Sequence, residues 1–455
     1  MIIAAPTENE RKIKAVQDRR FACPGLFRMP LANDGGICRI KLPLGRLTSE
    51  QIDGIADAAE TFSRGYVELT TRANVQIRAV AKNNQQKLIN KILDLGLGPL
   101  TPEGDDIRNV MVAPTAGIDV DMSCNTVEFA DKLLAMLQLD KNFSALSPKF
   151  SFLINGGETT QVLNHKADIW LSAHPDGETY NFGFASSALD IQNGKSPAIG
   201  SITAKRALEF IRYVLGLFIS ITKTEPSISR MKHLCVSGRF KDFLTHIYQH
   251  FGNDISKPLM NPDLHEDLST LTGIFAQKQK DLFYVGARPA LGRMASKTLH
   301  GVAELARIRA LNTPVRLTHY QGIIIPDCSR DEATLIRDGL SKLGLATDEN
   351  NPALYVYCCA GAPLCHSALS NVQRDGKYLV DHFSCNPKAL VHLTACPKSC
   401  VATVAFPFTI LAVKDGIYNL YRANLMNETG KNKFGQLLCE NMSISDVMRY
   451  IENQK

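Results

Sequence analysis

The sequence of 455 residues is poor in several things that would have named a function at once. It has no Cys-x-x-Cys step, no His-x-His, no His-Glu-x-x-His, and no Gly-x-Gly-x-x-Gly following a predicted strand. Those absences argue against zinc ribbons and fingers, zinc proteases, and a nicotinamide or flavin site of the chain's own. No basic run stands out behind the net charge of +6, so a nucleic-acid partner is not expected. No apolar stretch approaches the roughly 20 residues of a membrane helix. The apolar opening Met1–Pro6 is short and meets Glu8, Glu10, Arg11 and Lys12 at once, which is not the pattern of a secretion leader. Low-complexity segments are absent. What remains, 45% hydrophobic and 21% charged, is the composition of a globular enzyme. At roughly 150 residues each, two to four domains are expected.

Cysteine is what the chain does have. Six of the twelve cysteines lie between positions 358 and 400. Cys359-Ala-Gly-Ala-Pro-Leu-Cys365 is followed, thirty residues later, by Cys396-Pro-Lys-Ser-Cys400. A six-residue and a four-residue step, with small residues or proline between, return each loop to its starting point. Four thiolates converging in this way are the ligand set of an iron–sulfur core. Buried structural thiols and a zinc site are the other readings of the same residues. Twelve cysteines without a leader also point to a reducing, cytoplasmic setting, with ligands rather than disulfides.

The rest of the chain is organised by a duplication. After an irregular lead-in over residues 1–30, holding Arg19, Arg20 and Cys23-Pro24-Gly25, a strand is predicted at Ile37–Leu42. Leu44-Gly45-Arg46-Leu47 then turns into a helix opened by Thr48 and Gln51 in a capping box. Ile52, Ile55, Ala56 and Ala59 form its apolar face. Strands at Tyr66–Thr70 and Val75–Val80 and a helix over residues 83–95 follow. The unit returns 247 positions on: Leu291-Gly292-Arg293-Met294, then Leu299, Val302, Ala303 and Ala306, then strands at Val315–Thr318 and Gly322–Ile325. Each copy is a β-α-β-β module, and two copies could pair into a single central sheet. The connecting regions should be larger α/β units, with strands at Arg108–Val112, Phe150–Ile154, Asp168–Ser172, Tyr180–Gly183, Phe408–Val413 and Ile417–Tyr421. Helices are predicted at Glu128–Leu137, Ala204–Phe218 and from Ser443. Residues 250–275 read as loop-rich.

Several cationic residues fall inside patterned segments. Arg72, Gln76 and Arg78 stand in Thr70-Thr71-Arg72-Ala73-Asn74-Val75-Gln76-Ile77-Arg78, the last two on one face of a strand. Arg108-Asn109 precedes Pro114, Ala116, Gly117 and Asp119, and Lys149 lies in Ser147-Pro148-Lys149-Phe150. Taken singly, arginines in strand turns are solvated surface groups. Together they suit an anionic small molecule, since guanidinium forks bind carboxylates bidentately. The scattered histidines, His319, His366 and His392 among them, read as structural.

These motifs resemble the nitrite and sulfite reductase superfamily. There, cysteine pairs six and four apart hold a [4Fe-4S] cluster beside a tetrapyrrole, Thr-Thr-Arg-x-x-x-Gln faces the tetrapyrrole carboxylates, and two lysines line the anion site. Within the superfamily the likeness is to the precorrin-3B synthase family. The resemblance implies an α/β (α+β) fold with two ferredoxin-like half-repeats and two larger α/β units around a central cleft. The segments would be 1–96, 97–280, 281–344 and 345–455. It implies Cys359, Cys365, Cys396 and Cys400 as cluster ligands, and Arg72, Arg78, Arg108, Asn109 and Lys149 as substrate-binding. It implies a monooxygenase-type enzyme of cobalamin biosynthesis that uses dioxygen and an external electron donor to hydroxylate precorrin-3A and close a γ-lactone. A sirohaem nitrite or sulfite reductase and a non-catalytic tetrapyrrole carrier or electron-transfer protein are the alternatives; sirohaem belongs only to the first of these. Two departures matter. Ser151 stands where the reductases have their second lysine, and Tyr320-Gln321 stand where the first repeat has Arg72-Ala73.

Overall fold

The computed structural model describes residues 23–160, 165–185, 198–258, 271–383, 389–402, 406–423 and 434–454. The expectations for Arg19 and Arg20, and for residues 259–270 of the loop-rich stretch, lie outside these. Two compact units result: one from Met1–Pro30, Cys38–Gly45 and Gly96–Asp267, the other from Leu31–Ile37, Arg46–Leu95 and Leu268–Lys455. Among the described residues no helix is long and apolar enough to cross a membrane.

The half-repeats do not merge into one central sheet. They form two five-stranded sheets that exchange a strand. One runs Leu31–Ala32, Gly35–Ile40, Val75–Val80, Tyr66–Leu69, Arg293–Ala295; the other runs Gly273–Ala276, Phe283–Ala287, Ile323–Cys328, Val315–Leu317, Arg46–Leu47. Met294 lies opposite Val67, and Leu47 opposite Val315. Each short strand follows its Leu-Gly pair and completes the other copy's sheet, which covers an edge that would otherwise stay open. The reversal that aims them needs left-handed backbone: Leu44 and Leu291 have φ of 51° and 56°, and Gly45 and Gly292 follow at 72° and 69°. A Cβ on Gly292 would fall 2.5 Å from the Gln321 amide.

The helices Ser49–Phe62 and Ser296–Ala306 repeat with the sheets. Thr48 and Gln51 make both capping-box hydrogen bonds. Gly54 and Gly301 each lie under a leucine, Leu95 and Leu343, whose side chains leave no room for a Cβ. The Ser296 hydroxyl bonds the Ala56 carbonyl at 3.0 Å.

The larger sheets share a second plan. In one unit Val110–Val112, Phe152–Asn155 and Ile169–Ala173 are parallel, and Thr179–Phe184, Gly200–Thr203 and Ile255–Ser256 continue antiparallel. In the other, Val356–Cys358, Val391–Thr394 and Phe408–Lys414 are parallel, and Ile417–Arg422 and Gln436–Ser443 continue antiparallel. A helix crosses between the first two strands of each, Val127–Leu139 and Val372–His382, as a parallel connection requires. The first core is aromatic. Phe210, Val214 and Phe218 of the helix Ala204–Thr224 face Phe150, Phe182 and Phe251, with the Phe182 and Phe210 rings 4.4 Å apart.

The duplication also aligns two buried cations, Lys41 in one unit and Arg288 in the other, 247 positions apart. The Lys41 ammonium donates to the carbonyls of Asp105 and Asp106 at 2.6 and 3.0 Å. Arg288 donates to Ala353, to Val356 at 3.2 Å and to Tyr320 at 2.9 Å, with its guanidinium 3.7 Å from the Tyr357 ring centre. Burial pulls the Lys41 ammonium down to about 8.

Candidate functional site

The two cysteine motifs meet because their strands are parallel neighbours in register. Val356–Cys358 pairs with Val391–Thr394, Cys358 opposite Leu393, so both chains leave the sheet at the same edge. Cys359 is the first residue beyond one strand, and Cys396 the second beyond the other. Gly361 turns the first loop at φ 68°, where a Cβ would press on Val372 and Ser370. Its carbonyl accepts the amides of Leu364 and Cys365, at 3.1 and 3.0 Å. In the second loop the Cys396 carbonyl accepts the Thr394 hydroxyl at 3.0 Å. The loops are tied by the Leu369 amide on the Ala395 carbonyl at 2.9 Å and by the Ala395 amide on the Cys359 sulfur at 3.4 Å.

The surroundings of Cys359 act on its thiol in opposite directions. Burial raises the Cys359 thiol most; the amides of Ala395 and Gly361 bring it down, and the neighbouring Cys400 and Cys396 raise it again. N–H groups aimed at the sulfur favour the thiolate, the form that ligates metal. Cys396 is buried and Cys400 exposed, with Cys359 and Cys365 between. No group of three or more His, Cys, Asp or Glu side chains suited to a single ion occurs among the described residues. Cys359, Cys396 and Cys400 lie near enough to act on one another, and thiols are the donors an iron–sulfur core takes. Cys358 faces the other way: its sulfur accepts from the Gln373 amide at 2.9 Å and lies in the apolar core.

The same unit holds Arg72 and Arg78. Arg72 is half-buried at the hairpin between Tyr66–Leu69 and Val75–Val80. Its charge reaches His319, whose imidazole is pulled down to about 3 by burial first and by Arg72 second. Strand alternation predicts Gln76 and Arg78 on one face of Val75–Val80. That face exists, but each side chain meets a carboxylate. Gln76 donates to Glu68 at 2.9 Å, and Glu68 also holds Arg293 at 2.8 Å. Arg78 grips Asp34 at 3.1 and 2.9 Å, with the two side chains 5% and 1% exposed. Gln321 is buried too and donates to the Leu69 carbonyl at 2.9 Å. The hairpin register sets Glu68 opposite Gln76, a pairing the sequence could have given; nothing in it named Asp34.

The other unit holds Arg108, Asn109 and Lys149. Arg108, 2% exposed, is paired with Asp105 at 3.0 Å and donates to the Leu97 carbonyl at 3.1 Å. The Asn109 amide donates to the carbonyls of Asp106, Pro148 and Phe150 at 3.0 to 3.1 Å. Asp119 ties its loop to Thr115 at 2.8 Å and to the Thr159 amide at 3.1 Å. In this structure Arg78, Arg108 and Asn109 thus each donate to protein partners, as struts of the scaffold. Lys149 is exposed. Ser151 is fully buried; its amide donates to Asp168 at 3.0 Å, and the carboxylate is held by Arg230 at 2.7 Å. The sequence reading did not single out Arg230, which stands in no motif.

Comparison with known proteins agrees with this architecture. The nitrite/sulfite reductase ferredoxin-like half domain matches residues 30–95 and 275–343. The nitrite and sulphite reductase 4Fe-4S domain matches residues 103–253. The chain belongs to the nitrite and sulfite reductase superfamily. The second match falls on the large sheet that lacks the four cysteines; the cysteine loops rise from its counterpart in the other unit. Among superfamily relatives, the ferredoxin–nitrite reductase of Leptolyngbya laminosa is 25% identical over 84% of this chain and 78% of its own. That of Arabidopsis thaliana is 25% identical over 88% and 72%. A precorrin-3B synthase of Sinorhizobium sp is 23% identical over 88% and 82%. The NirA protein of Mycobacterium tuberculosis shares the fold, with a TM-score of 0.75 at 17% identity over 98% of this chain and 92% of its own.

Proposed function

We propose that this superfamily member is a precorrin-3B synthase, an iron–sulfur oxidoreductase that hydroxylates the carboxylate-rich tetrapyrrole precorrin-3A with dioxygen. The observation that carries the choice is position 151. A reductase holding a small oxyanion needs closely set cations to bind it and to deliver protons. Here Lys149 is exposed and alone of its pair, and Ser151 is buried beside Asp168, whose charge is taken by Arg230.

In this reading Cys359, Cys365, Cys396 and Cys400 hold a [4Fe-4S] cluster, which supplies one-electron transfer when bound. Arg72, in the unit that carries the cysteine loops, offers charge to substrate carboxylates. Arg78, Arg108 and Asn109 hold the scaffold of their own units. One atom of dioxygen enters the substrate and the other leaves as water, with two electrons and two protons drawn from an external donor. The experiment is a paired assay of the anaerobically purified holoprotein. Precorrin-3A with a reductant under air should gain the mass of one oxygen atom; nitrite or sulfite with reduced methyl viologen should give negligible ammonia or sulfide. The nitrite-reductase relatives keep the second reading in view, and the reverse outcome, with sirohaem bands in the visible spectrum, would select it.

A further inference from the structure

Arg78 has a place in the structure that no substrate-binding role would require. Its guanidinium is braced by Asp34, and its Nη2 also donates to the carbonyl of Leu364 at 3.1 Å. Leu364 immediately precedes Cys365. The residue before it is held as well: the Asn33 amide donates to the Pro363 carbonyl at 3.1 Å. The residue after Cys365 is held too. One ring nitrogen of His366 meets the Leu31 carbonyl at 3.0 Å, and the other meets Asn33 Oδ1. Residues 363, 364 and 366 are therefore gripped by the turn at 31–34 and by Arg78, while Cys365 stands between them.

We propose that Asn33, Asp34 and Arg78 form a clamp that positions Cys365 as a cluster ligand. The proposal rests on the reading that the four cysteines hold an iron–sulfur cluster. Stability alone gives little reason for the clamp. A buried ion pair contributes little or nothing compared with apolar side chains of the same volume. The loop already has its own turn at Gly361, and it is stitched to the second loop through Leu369 and Ala395. The clamp adds direction. Cys365 lies seven residues past the end of its strand, beyond the reach of the sheet's ladder. A rigid guanidinium fixed at two points can hold the Leu364 carbonyl in one place, as a flexible ammonium cannot.

The test uses the holoprotein, purified anaerobically. Arg78→Lys keeps the charge opposite Asp34 but cannot brace against the carboxylate and hold the Leu364 carbonyl together. Asn33→Ala removes the Pro363 and His366 contacts and no charge. Arg28→Lys serves as a control, since Arg28 pairs with Asp106 at 2.6 Å in the other unit. Iron and sulfide content, the electron paramagnetic resonance signal of the reduced cluster, and iron release to a chelator are measured. Both clamp variants should release iron about 10- to 100-fold faster than wild type, the usual effect of removing the partners of a metal ligand. Their resonance lines should shift or broaden. Arg28→Lys should match wild type in both. Wild-type release and an unchanged signal in folded Arg78→Lys and Asn33→Ala would overturn the clamp. If Arg78→Lys does not fold, Asn33→Ala decides alone by the same measures. A wild-type protein without stoichiometric iron and sulfide would instead overturn the cluster reading on which the clamp depends.

Discussion

Replacing Arg108 with alanine should unfold the protein more readily and leave ligand binding by the folded molecule unchanged. The guanidinium and Asp105 are 2% and 6% exposed, so alanine leaves a carboxylate buried without its cation. Removing one partner of a buried pair costs about 3–5 kcal/mol. Asp105 would keep the Leu26 amide at 2.8 Å and the Lys41 charge nearby, which favours the lower end, about 3 kcal/mol. The Leu97 carbonyl would lose its donor as well. A residue of an anion cradle would behave in the opposite way. It would cost about 1.5–3 kcal/mol of binding, the worth of a charged hydrogen bond, at unchanged stability. Urea unfolding followed by circular dichroism gives the first quantity, and fluorescence titration of the folded variant with precorrin-3A gives the second. A lower urea midpoint with wild-type affinity is expected. A wild-type midpoint with weakened binding would refute the reasoning and return Arg108 to the substrate.

Serine at Cys359, Cys365, Cys396 or Cys400 should abolish the brown chromophore, whereas Cys358→Ser should keep it because that sulfur faces Gln373; iron and acid-labile sulfide analysis decides. Lys41 titrates near 8 when folded against its ordinary 10.5, so the unfolded chain holds more protons between those values. Stability should therefore rise across that window by up to about 3 kcal/mol, and the rise should vanish in Lys41→Met; denaturation at stepped pH tests it. Gly292→Ala forces a Cβ onto Gln321 at positive φ and should cost about 1–3 kcal/mol, read as a lower melting temperature, while Gly416→Ala, with nothing within 4 Å, should suffer only the φ penalty.

The elements with strong local signals were legible in the sequence. Thr48 and Gln51 announce the helix at Ser49, and the offset of 247 exposes the duplication and the alignment of Leu44 with Leu291. The cysteine loops were legible from spacing alone, although their parallel strands were not. Val356–Cys358 is three residues long and reads as the start of the motif rather than as a strand. The strand exchange was illegible for a related reason: Arg46–Leu47 is two residues, and no local pattern says which sheet it joins. The arginines were found, but their partners were not. Asp34 and Asp105 are ordinary acidic residues until the fold brings them against Arg78 and Arg108, and burial then decides whether a cation meets substrate or scaffold.

The exchanged strands bear on how the chain is made. Arg293 pairs with Glu68 across 225 residues of sequence. At about 5–20 residues per second of synthesis, Tyr66–Leu69 waits roughly 10–50 seconds on the ribosome with an unpaired edge. Such an edge is a template for pairing with other chains, and contacts this distant in sequence also slow folding. Sheltering of the nascent chain through that interval, and the rate of translation between residues 70 and 295, would then govern how much soluble protein a cell obtains.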